Sequence, residues 1–416
     1  MLRPLLPLLI LFVAGACQRT PPLSFDLGPR GISRDTLYTR DRGYGFEPGA
    51  SATSFHFTAR VPREGNHRVT VTVGSDTVAT DMAIKTELRR LMVEKITAPH
   101  GGSARVSFIV NTRTPAIPAT GDLKAGAVRL KMPRESVQEA WAWDDALTLE
   151  FVGPAPAVRR IEIEPAEVPT IFLLGDSTVC DQSKEPYNSW GQMITRWFSP
   201  AVAIANHGES GETYRDSIGR RRLDKIASVM RPGDWLIMQF GHNDQKQIAA
   251  GSGGPFTTYK DEIARHIAVV RARGGVPVIV SPMERRGFDE AGRVRGSLTD
   301  YAEAARQAAQ EHGVAFIDLN AMSKVLYAAL GPEQSARAFA TPRGVVDNTH
   351  HNNFGSYQLA QCIAQAIRAQ GLPIAKFLAA DFKGFDPSRS DDPDTFKVPA
   401  SADFTNERPL GDEANR

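Results

Sequence analysis

Residues 171–182 read Ile-Phe-Leu-Leu-Gly-Asp-Ser-Thr-Val-Cys-Asp-Gln, an apolar run that ends in a turn of small residues. A short apolar run bounded by glycine is typical of a buried strand. Ser177 stands just after that strand, where a serine hydroxyl can be presented as a nucleophile. Gly-Asp-Ser is also ordinary turn and helix-cap chemistry, so this stretch alone leaves a structural role for the serine open.

Two further segments place polar groups after apolar runs in the same way. Residues 206–213, Asn-His-Gly-Glu-Ser-Gly-Glu-Thr, follow the run 201–205, and glycine-rich turns of this kind leave backbone N–H groups available to an anion. Residues 239–244, Gln-Phe-Gly-His-Asn-Asp, follow the run 234–238 and supply the side-chain amide of Asn243. Because each predicted strand is followed by polar residues, we expect these residues to line one shared crevice.

A fourth segment, residues 347–350, reads Asp-Asn-Thr-His. The acid precedes the histidine by three residues, a separation that lets the carboxylate reach the imidazole across one turn. His350 is therefore the candidate base for Ser177, because histidine titrates near neutral pH, and Asp347 is the group that orients it. The same spacing selects His350 over its neighbour His351.

Ester hydrolysis also needs donors for the oxyanion of the tetrahedral intermediate. We predict that the backbone N–H groups of Ser177 and Gly211 and the side-chain amide of Asn243 supply them. His242 and Asp244 flank that asparagine and invite a metal interpretation. The chain has no His-Glu-x-x-His and no Cys-x-x-Cys, so neither a metal site nor a cofactor is predicted.

The four segments resemble, in order and spacing, the four blocks of SGNH (GDSL) hydrolases. Within that superfamily, Gly-Asp-Ser-Thr at 175–178, Gln-Phe-Gly-His-Asn-Asp at 239–244 and Asp-Asn-Thr-His at 347–350, followed by Asn352, look most like rhamnogalacturonan acetylesterases. Those enzymes remove acetyl groups from pectin backbones. The resemblance covers roughly residues 169–375. These acetylesterases commonly carry Arg-Ser after the block-two glycine, whereas this chain has Glu212 and Thr213, so the arginine's substrate contact has no counterpart here.

The resemblance implies a flavodoxin-like three-layer α/β fold with a parallel sheet. It also implies a carbohydrate esterase that removes O-acetyl groups from rhamnogalacturonan by Ser-His-Asp catalysis, through an acetyl-enzyme intermediate and without a cofactor. Its partner would be an acetylated polysaccharide or oligosaccharide. Three alternatives stay open: an esterase of another acetylated glycan such as xylan, a lipase, arylesterase or thioesterase, and a non-enzymatic glycan-binding lipoprotein.

Four side chains near these blocks are candidate substrate contacts. Tyr187 and Trp190 follow the nucleophile and could stack on a sugar ring, or could be core aromatics. Arg285 and Arg286 follow the apolar run 275–281. They could pair with a uronate carboxylate in bidentate fashion, or form a solvated basic loop.

Period-two alternation marks the region upstream of the proline-bounded linker 165–169. The alternating apolar residues are Phe55, Phe57, Ala59 and Val61, then Val69, Val71 and Val73, then Val106, Phe108 and Val110, and later Ile161 and Ile163. Short segments of this kind predict an antiparallel β-sandwich over 24–165. The region loosely resembles galactose-binding-like jelly-roll modules, which implies glycan binding or support of the active-site rim. A purely structural accessory is the alternative.

Downstream of the linker, strand and helix signals alternate. The predicted strands are 170–175, 201–205, 234–240, 275–281 and 314–319, and the predicted helices include 259–273, 298–312 and 354–370. This pattern predicts an α/β domain over 169–375 with a parallel sheet, whose crevice lies beyond the carboxyl ends of the strands. Residues 376–416 are polar and predict a partly extended or disordered tail.

The chain has 416 residues and a net charge of +2, which favours two domains and gives no electrostatic case for nucleic acid. Its start has Arg3 and a short apolar run to Val13, the pattern of an export signal over 1–16. Residues 14–16 suit ordinary cleavage, whereas Cys17 resembles the lipidated cysteine of bacterial lipoproteins. We expect an exported protein, either secreted or a periplasmic or cell-surface lipoprotein anchored through a lipid on Cys17.

Two cysteines, Cys180 and Cys362, lie beyond that signal. An oxidising compartment would permit one bridge between them, but two cysteines make no disulfide framework. We expect two buried free thiols.

Overall fold

The computed structural model describes residues 22–249 and 251–409, so the predicted signal 1–16 and Cys17 lie outside the described residues. The first part holds β1 (Leu23–Asp26), β2 (Tyr44–Phe46), β3 (Ser54–Arg60), β4 (Gly65–Val73), β5 (Thr80–Thr86), β6 (Arg90–Ala98), β7 (Ala104–Thr112), β8 (Ala116–Ile117), β9 (Gly126–Ala127), β10 (Ala146–Ala155) and β11 (Val158–Pro165). One antiparallel sheet has the order β1-β11-β4-β7 and a second has the order β2-β3-β10-β5-β6, while β8 and β9 pair with each other.

Period-two alternation explains how the two larger sheets pack. Val69, Val71 and Val73 lie on one face of β4, and Phe55 and Phe57 lie on one face of β3. All five belong to a single buried apolar cluster that joins the two sheets. The predicted antiparallel β-sandwich is confirmed.

The second part alternates strands with helices. It holds β12 (Thr170–Gly175), β13 (Ala203–Asn206), β14 (Trp235–Gln239), β15 (Val276–Val280) and β16 (Ala315–Ile317), with α1 (Trp190–Met193), α2 (Tyr214–Gly219), α3 (Arg222–Val229), α4 (Gln245–Ala249), α5 (Lys260–Ala272), α6 (Thr299–Glu311), α7 (Leu319–Gln334) and α8 (Asn353–Ala369). Single 3₁₀ or π turns lie at Arg134–Gln138, Ala140–Trp143, Ile194–Trp197, Pro255–Tyr259, Ser335–Ala338, Pro342–Gly344 and Pro373–Phe377. Over the described residues, no helix has both the length and the apolar character needed to cross a membrane.

The five strands β12 to β16 pair in parallel, in the order β13-β12-β14-β15-β16. Side chains of β12 alternate between two apolar clusters, because successive residues of a strand point to opposite faces. Ile171 and Leu173 share a cluster with Ile363 of α8. Phe172 and Leu174 share the other cluster with helix α5. Helices therefore cover both faces of the sheet, and the predicted three-layer α/β arrangement is confirmed.

The carboxyl ends of three neighbouring strands bring the predicted site segments to one edge of the sheet. Ser177 follows β12, Gly211 follows β13 and Asn243 follows β14. Asp347 and His350 lie in the loop before α8. This edge is where ligands of parallel α/β sheets bind.

Residues 378–409 form no helix and join no sheet, yet they pack against both parts of the chain. Phe382 and Ser401 are buried, and Nζ of Lys85 on β5 donates to the Ser401 hydroxyl at 2.8 Å. This stretch of the predicted tail is therefore extended and held by the fold. The residue limits of the predicted domains, 24–165, 169–375 and 376–416, stay predictions.

Candidate active site

A tight turn after β12 presents Ser177. One carboxylate oxygen of Asp176 accepts the Thr178 N–H at 2.9 Å and the Thr178 hydroxyl at 2.7 Å. Asp176 thus caps the turn, which is the role that Gly-Asp-Ser chemistry favours. Gly175 is required here, because a Cβ at that position would lie 2.4 Å from the carbonyl oxygen of Gln239.

The structure brings the predicted nucleophile, base and acid together. Ser177 Oγ lies 2.8 Å from His350 Nε2, and His350 Nδ1 lies 3.0 Å from Asp347 Oδ2. A carboxylate can only accept hydrogen bonds, so Nδ1 carries the proton and Nε2 accepts from the serine hydroxyl. All three side chains are buried. The array is therefore able to move a proton from the hydroxyl to the imidazole.

The charge of Asp347 is fixed by its surroundings. Burial alone would raise the pKa of this carboxyl. Attraction to a protonated His350 ring, with hydrogen bonds from that ring and from the backbone N–H groups of Thr349 and His350, overrides burial and holds the pKa of Asp347 well below its usual range. Asp347 is consequently a carboxylate at neutral pH, and it favours the protonated imidazole that forms when His350 accepts a proton.

Three predicted oxyanion donors lie at the same edge of the sheet as Ser177. Within residues 22–249 and 251–409, neither the Ser177 N–H nor the Gly211 N–H donates to an acceptor. Gly211 has φ +73°, a left-handed conformation that favours glycine. Asn243 Nδ2 donates to the Glu212 carbonyl at 3.1 Å, and Lys246 Nζ donates to Asn243 Oδ1 at 3.1 Å. The amide is thereby oriented, and its second N–H has no acceptor in the described chain.

Comparison with known proteins identifies the family. The sequence profile of the GDSL-like lipase/acylhydrolase family matches residues 173–355. Rhamnogalacturonan acetylesterase RhgT of Bacillus subtilis (strain 168) is 37% identical over 221 residues, which cover 50% of this chain and 94% of that protein. The chain belongs to the GDSL-like lipase/acylhydrolase family. It is therefore a carboxylic ester hydrolase.

A longer match extends over most of the hydrolase. The uncharacterized esterase YxiM of Bacillus subtilis (strain 168) is 24% identical over 368 residues, which cover 84% of this chain and 89% of that protein. The crystal structure of YxiM covers 85% of this chain and 99% of its own, at 22% identity and a TM-score of 0.48.

Two other buried histidines, His351 and His207, do not join the triad. His351 Nε2 lies 2.8 Å from the Tyr327 hydroxyl, and burial, the main cause, lowers its pKa to about 3. His207 packs against Trp143 and Phe172, and burial lowers its pKa well below the usual value. Both rings are therefore neutral packing groups, which agrees with the choice of His350 and with a structural role for His207.

The residues that flank Asn243, His242 and Asp244, contact other parts of the protein next to the site. His242 Nδ1 lies 3.4 Å from Asp176 Oδ2, so this histidine adjoins the cap of the nucleophile turn. Asp244 Oδ1 accepts the Tyr214 N–H at 3.2 Å, and burial raises the pKa of Asp244 well above its usual value. Among the residues that the structure describes, no three His, Cys, Asp or Glu side chains are grouped to hold a metal ion.

The two predicted aromatic contacts have different surroundings. Trp190 is fully buried and its Nε1 donates to Gln239 Oε1 at 2.8 Å, so the prediction that it stacks on a sugar is wrong. The reason is that Ser189 caps α1 and turns the indole into the core beneath the sheet. Tyr187 lies beside the triad, with its ring edge-on to the His350 ring at 5.8 Å. Only 2% of Tyr187 is exposed, so it offers no open face for sugar stacking.

The two predicted arginine contacts are held by the protein itself. Arg285 donates to Gln245 Oε1 at 2.8 Å and to the His242 carbonyl at 3.1 Å. Arg286 donates to Ser335 Oγ at 3.1 Å and to Asn348 Oδ1 at 3.0 Å. These guanidinium groups brace the loops that carry Asn243 and His350, and their contact with a uronate stays a prediction.

The loop after β13 is supported by a segment that the sequence analysis did not single out. Lys131 Nζ donates to the Ser210 carbonyl, and Arg134 donates to the Ser210 hydroxyl at 3.2 Å. Glu212 lies 2.9 Å from Arg222 Nε, and Arg222 Nη2 lies 2.7 Å from Glu135. Glu212 is thus a fully buried ion-pair partner in this chain.

The tail also reaches the triad. Arg408 Nε lies 3.8 Å from Asp347 Oδ2, and 45% of the Arg408 side chain is exposed. A polar tail without periodicity gives no sequence signal for such a contact. The two remaining cysteines, Cys180 and Cys362, are buried free thiols, as expected.

Proposed function

We propose that this hydrolase removes O-acetyl groups from rhamnogalacturonan through an acetyl-enzyme on Ser177. The observation that carries the mechanism is the 2.8 Å contact between Ser177 Oγ and His350 Nε2, backed by Asp347. A serine hydroxyl is a weak nucleophile unless an adjacent base takes its proton during attack.

In the acylation half, Ser177 Oγ attacks the acetyl carbonyl while His350 Nε2 takes the hydroxyl proton. The carbonyl oxygen becomes an oxyanion, which accepts from the N–H groups of Ser177 and Gly211 and the amide of Asn243. Collapse of the intermediate breaks the bond to the sugar oxygen, and His350 returns its proton to that leaving alcohol. The acetyl group is then bonded to Ser177.

In the deacylation half, water replaces the sugar alcohol. His350 takes a proton from the water, which attacks the acetyl-enzyme carbonyl, and the same donors hold the second oxyanion. The bond to Ser177 Oγ then breaks, the serine recovers its proton from His350, and acetate leaves. Asp347 stays ionised throughout and stabilises the imidazolium formed in each half.

The substrate proposal is supported by the relatives and by the polarity around the triad. RhgT is named a rhamnogalacturonan acetylesterase and matches 50% of this chain, and the family profile over residues 173–355 includes Ser177, Gly211, Asn243, Asp347 and His350. The cavity next to Tyr187 is lined mainly by polar and charged side chains, among them Arg134, Gln182 and Lys184. Such walls suit a hydroxyl-rich sugar better than a long acyl chain.

We propose in addition that the enzyme acts outside the cytoplasm, as the export pattern of residues 1–16 suggests. Anchoring through a lipid on Cys17 is the form of export that the cysteine favours. Globomycin, which blocks lipoprotein signal cleavage, would retain the precursor if Cys17 is lipidated and would leave an ordinary secreted form unaffected.

The proposed function is tested by substrate choice and by labelling of the nucleophile. We expect acetate release from acetylated rhamnogalacturonan to exceed release from acetylated xylan at equal acetyl concentration. We also expect a fluorophosphonate to phosphonylate Ser177 with loss of fluoride, as peptide mass spectrometry would reveal, and heat-denatured protein to stay unlabelled. Preference for xylan would contradict the proposed substrate but not the proposed mechanism. Preference for long acyl esters would favour a lipase or thioesterase. A native protein labelled elsewhere would overturn the assignment of Ser177.

A second prediction concerns the oxyanion donors. Asn243→Ala should lower kcat by roughly 10²- to 10³-fold with little change in KM, because the donor is used mainly in the transition state. Steady-state kinetics on 4-nitrophenyl acetate would measure both parameters. Gln247→Ala removes a carboxamide from the following turn and should leave kcat unchanged. Equal kinetics for wild type and Asn243→Ala would remove Asn243 from the oxyanion hole.

A further inference from the structure

A polar cavity of about 250 Å³ opens beside the triad. The nucleophile loop forms one wall with Gln182, Ser183, Lys184 and Tyr187, the sandwich side adds Arg134 and Gln138, and the tail adds Thr405, Glu407, Arg408 and Pro409. Sites for drug-sized ligands span roughly 300–1,000 Å³. This smaller space suits one sugar residue of a longer chain.

The walls of the cavity contact every member of the triad. Gln182 Nε2 donates to the Ser177 carbonyl at 2.7 Å. The Tyr187 ring meets the His350 ring edge-on, and Arg408 Nε lies 3.8 Å from Asp347 Oδ2. A group bound in the cavity is therefore separated from the triad only by these wall residues.

The cavity has an excess of positive charge. Three of its lining side chains are cationic and one, Glu407, is a carboxylate. Arg134 is already engaged by Glu139 at 2.7 Å and Glu209 at 3.3 Å. Lys184 is exposed and makes no ion pair within the described residues, and Arg408 is 45% exposed. Lys184 and Arg408 are thus the cations best placed to meet an anionic ligand.

The tail that carries Arg408 is fixed relative to the nucleophile loop. The Ser401 N–H donates to Glu185 Oε1 at 2.9 Å, and its hydroxyl donates to Glu150 Oε2 at 2.8 Å. The Thr405 N–H donates to the Glu185 carbonyl at 2.7 Å. Lys184 immediately precedes Glu185, so the same contacts hold the backbone segments that carry the two cations on one cavity wall.

We propose that Lys184 and Arg408 form an anion subsite that binds the carboxylate of a uronate residue of the acetylated chain. The proposal rests on the proposed function, because a rhamnogalacturonan backbone carries galacturonate. It places uronate recognition at the cavity wall instead of at Arg285 and Arg286, which hold loops of the protein. Charge-assisted contacts to a carboxylate suit both a lysine point charge and an arginine fork.

The test compares an acidic substrate with its neutral form. Lys184→Gln and Arg408→Gln should each lower the ratio of kcat/KM for acetylated rhamnogalacturonan oligosaccharides to kcat/KM for the carboxyl-reduced oligosaccharides by roughly ten-fold. The loss should appear mainly in KM for the acidic substrate. Arg408→Lys should recover part of the ratio, because the charge returns. Arg389→Gln removes an exposed tail charge outside the cavity wall and should leave the ratio unchanged.

A second measurement separates this inference from the proposed function. Oligogalacturonate should inhibit 4-nitrophenyl acetate hydrolysis competitively, and the double variant Lys184→Gln/Arg408→Gln should raise its inhibition constant at least ten-fold. Inhibition by oligogalacturonate does not depend on which acetylated glycan is the substrate. A wild-type preference for xylan would therefore contradict the proposed function but not the anion subsite. Unchanged ratios and unchanged inhibition in the double variant would overturn the subsite.

Discussion

Replacing His350 with alanine is expected to lower kcat/KM by roughly 10⁴- to 10⁶-fold, because the variant loses the base that activates Ser177. The contact at risk is the 2.8 Å hydrogen bond between Ser177 Oγ and His350 Nε2. Ser177→Ala should lower kcat/KM by a similar factor. The double variant should be no worse than either single variant, because residues that act as one unit give non-additive losses. Initial rates of acetate release would measure all three.

The neighbouring histidine provides a matched control. His351 is equally buried, but its ring packs against Phe339 at 4.2 Å and bonds Tyr327 instead of the serine. His351→Gln should therefore cost stability in the core and keep kcat/KM within about ten-fold of wild type. Both variants must be assayed below their melting temperatures. If His351→Gln lost as much activity as His350→Ala, the assignment of the base by Asp-x-x-His spacing would be wrong.

Much of this fold could be predicted because local sequence determines it. The apolar runs 170–175 and 234–240 became β12 and β14 within a residue, and the helical signal 354–370 became α8 within a residue. In these segments the periodicity, the flanking glycines and the final packing all agree. The strand-end rule then placed the site segments on one edge of the sheet.

The triad could be predicted for the same kind of reason. Asp347 and His350 are three residues apart, so their pairing needs only the local turn that the structure shows. The meeting of His350 with Ser177 is long-range, but both lie at the predicted sheet edge. Sequence order and fold class together were sufficient for that contact.

The surroundings of the triad could not be predicted, because they depend on which distant segments pack against it. Trp190 has the chemistry of a sugar platform, yet the direction in which α1 faces decides that it is core. Arg408 lies in a segment without periodicity, and only the path of the tail brings it to Asp347. Arg222 and Glu135 pair across 87 residues and between two differently built parts of the chain.

That last pair leads to the second large prediction, which concerns stability. Arg222→Met should lower the free energy of unfolding by roughly 3–5 kcal/mol, because it removes the buried guanidinium that bonds directly to Glu135 and Glu212. Arg222, Glu135 and Glu212 are all fully buried, and Arg222 Nε lies 2.9 Å from both Glu212 oxygens. Urea unfolding followed by circular dichroism would measure the loss.

Arg220 offers the matched control on the same stretch of chain. It lies 3.5 Å from Glu212, but 35% of its side chain is exposed, so water screens the pair. Arg220→Met should therefore cost about 1 kcal/mol or less. Replacing all three buried charges, Arg222→Met with Glu135→Gln and Glu212→Gln, should recover part of the loss, since no unpaired charge remains. Equal destabilisation by Arg220→Met and Arg222→Met would mean that the buried ion pair contributes no more to the free energy of unfolding than the exposed one.

The loss of stability in Arg222→Met should also depend on pH, and its direction follows from the pKa of Glu135. In the wild type, burial alone would raise the pKa of Glu135, but the charge and hydrogen bond of Arg222 lower it below the usual value. Its stabilising contribution is therefore present above the unfolded pKa and is lost as pH falls through the folded pKa. In Arg222→Met only the weaker interactions of Glu135 with Lys131 still oppose burial, so the folded pKa of Glu135 rises and the variant's loss of stability grows as pH increases above about 4.5. The loss in free energy of unfolding should be larger at pH 8 than at pH 5.

The same variant should also have a lower kcat, because the Glu212 carbonyl accepts a hydrogen bond from the Asn243 amide. A lower kcat would show that the segment with Glu135 supports the oxyanion hole.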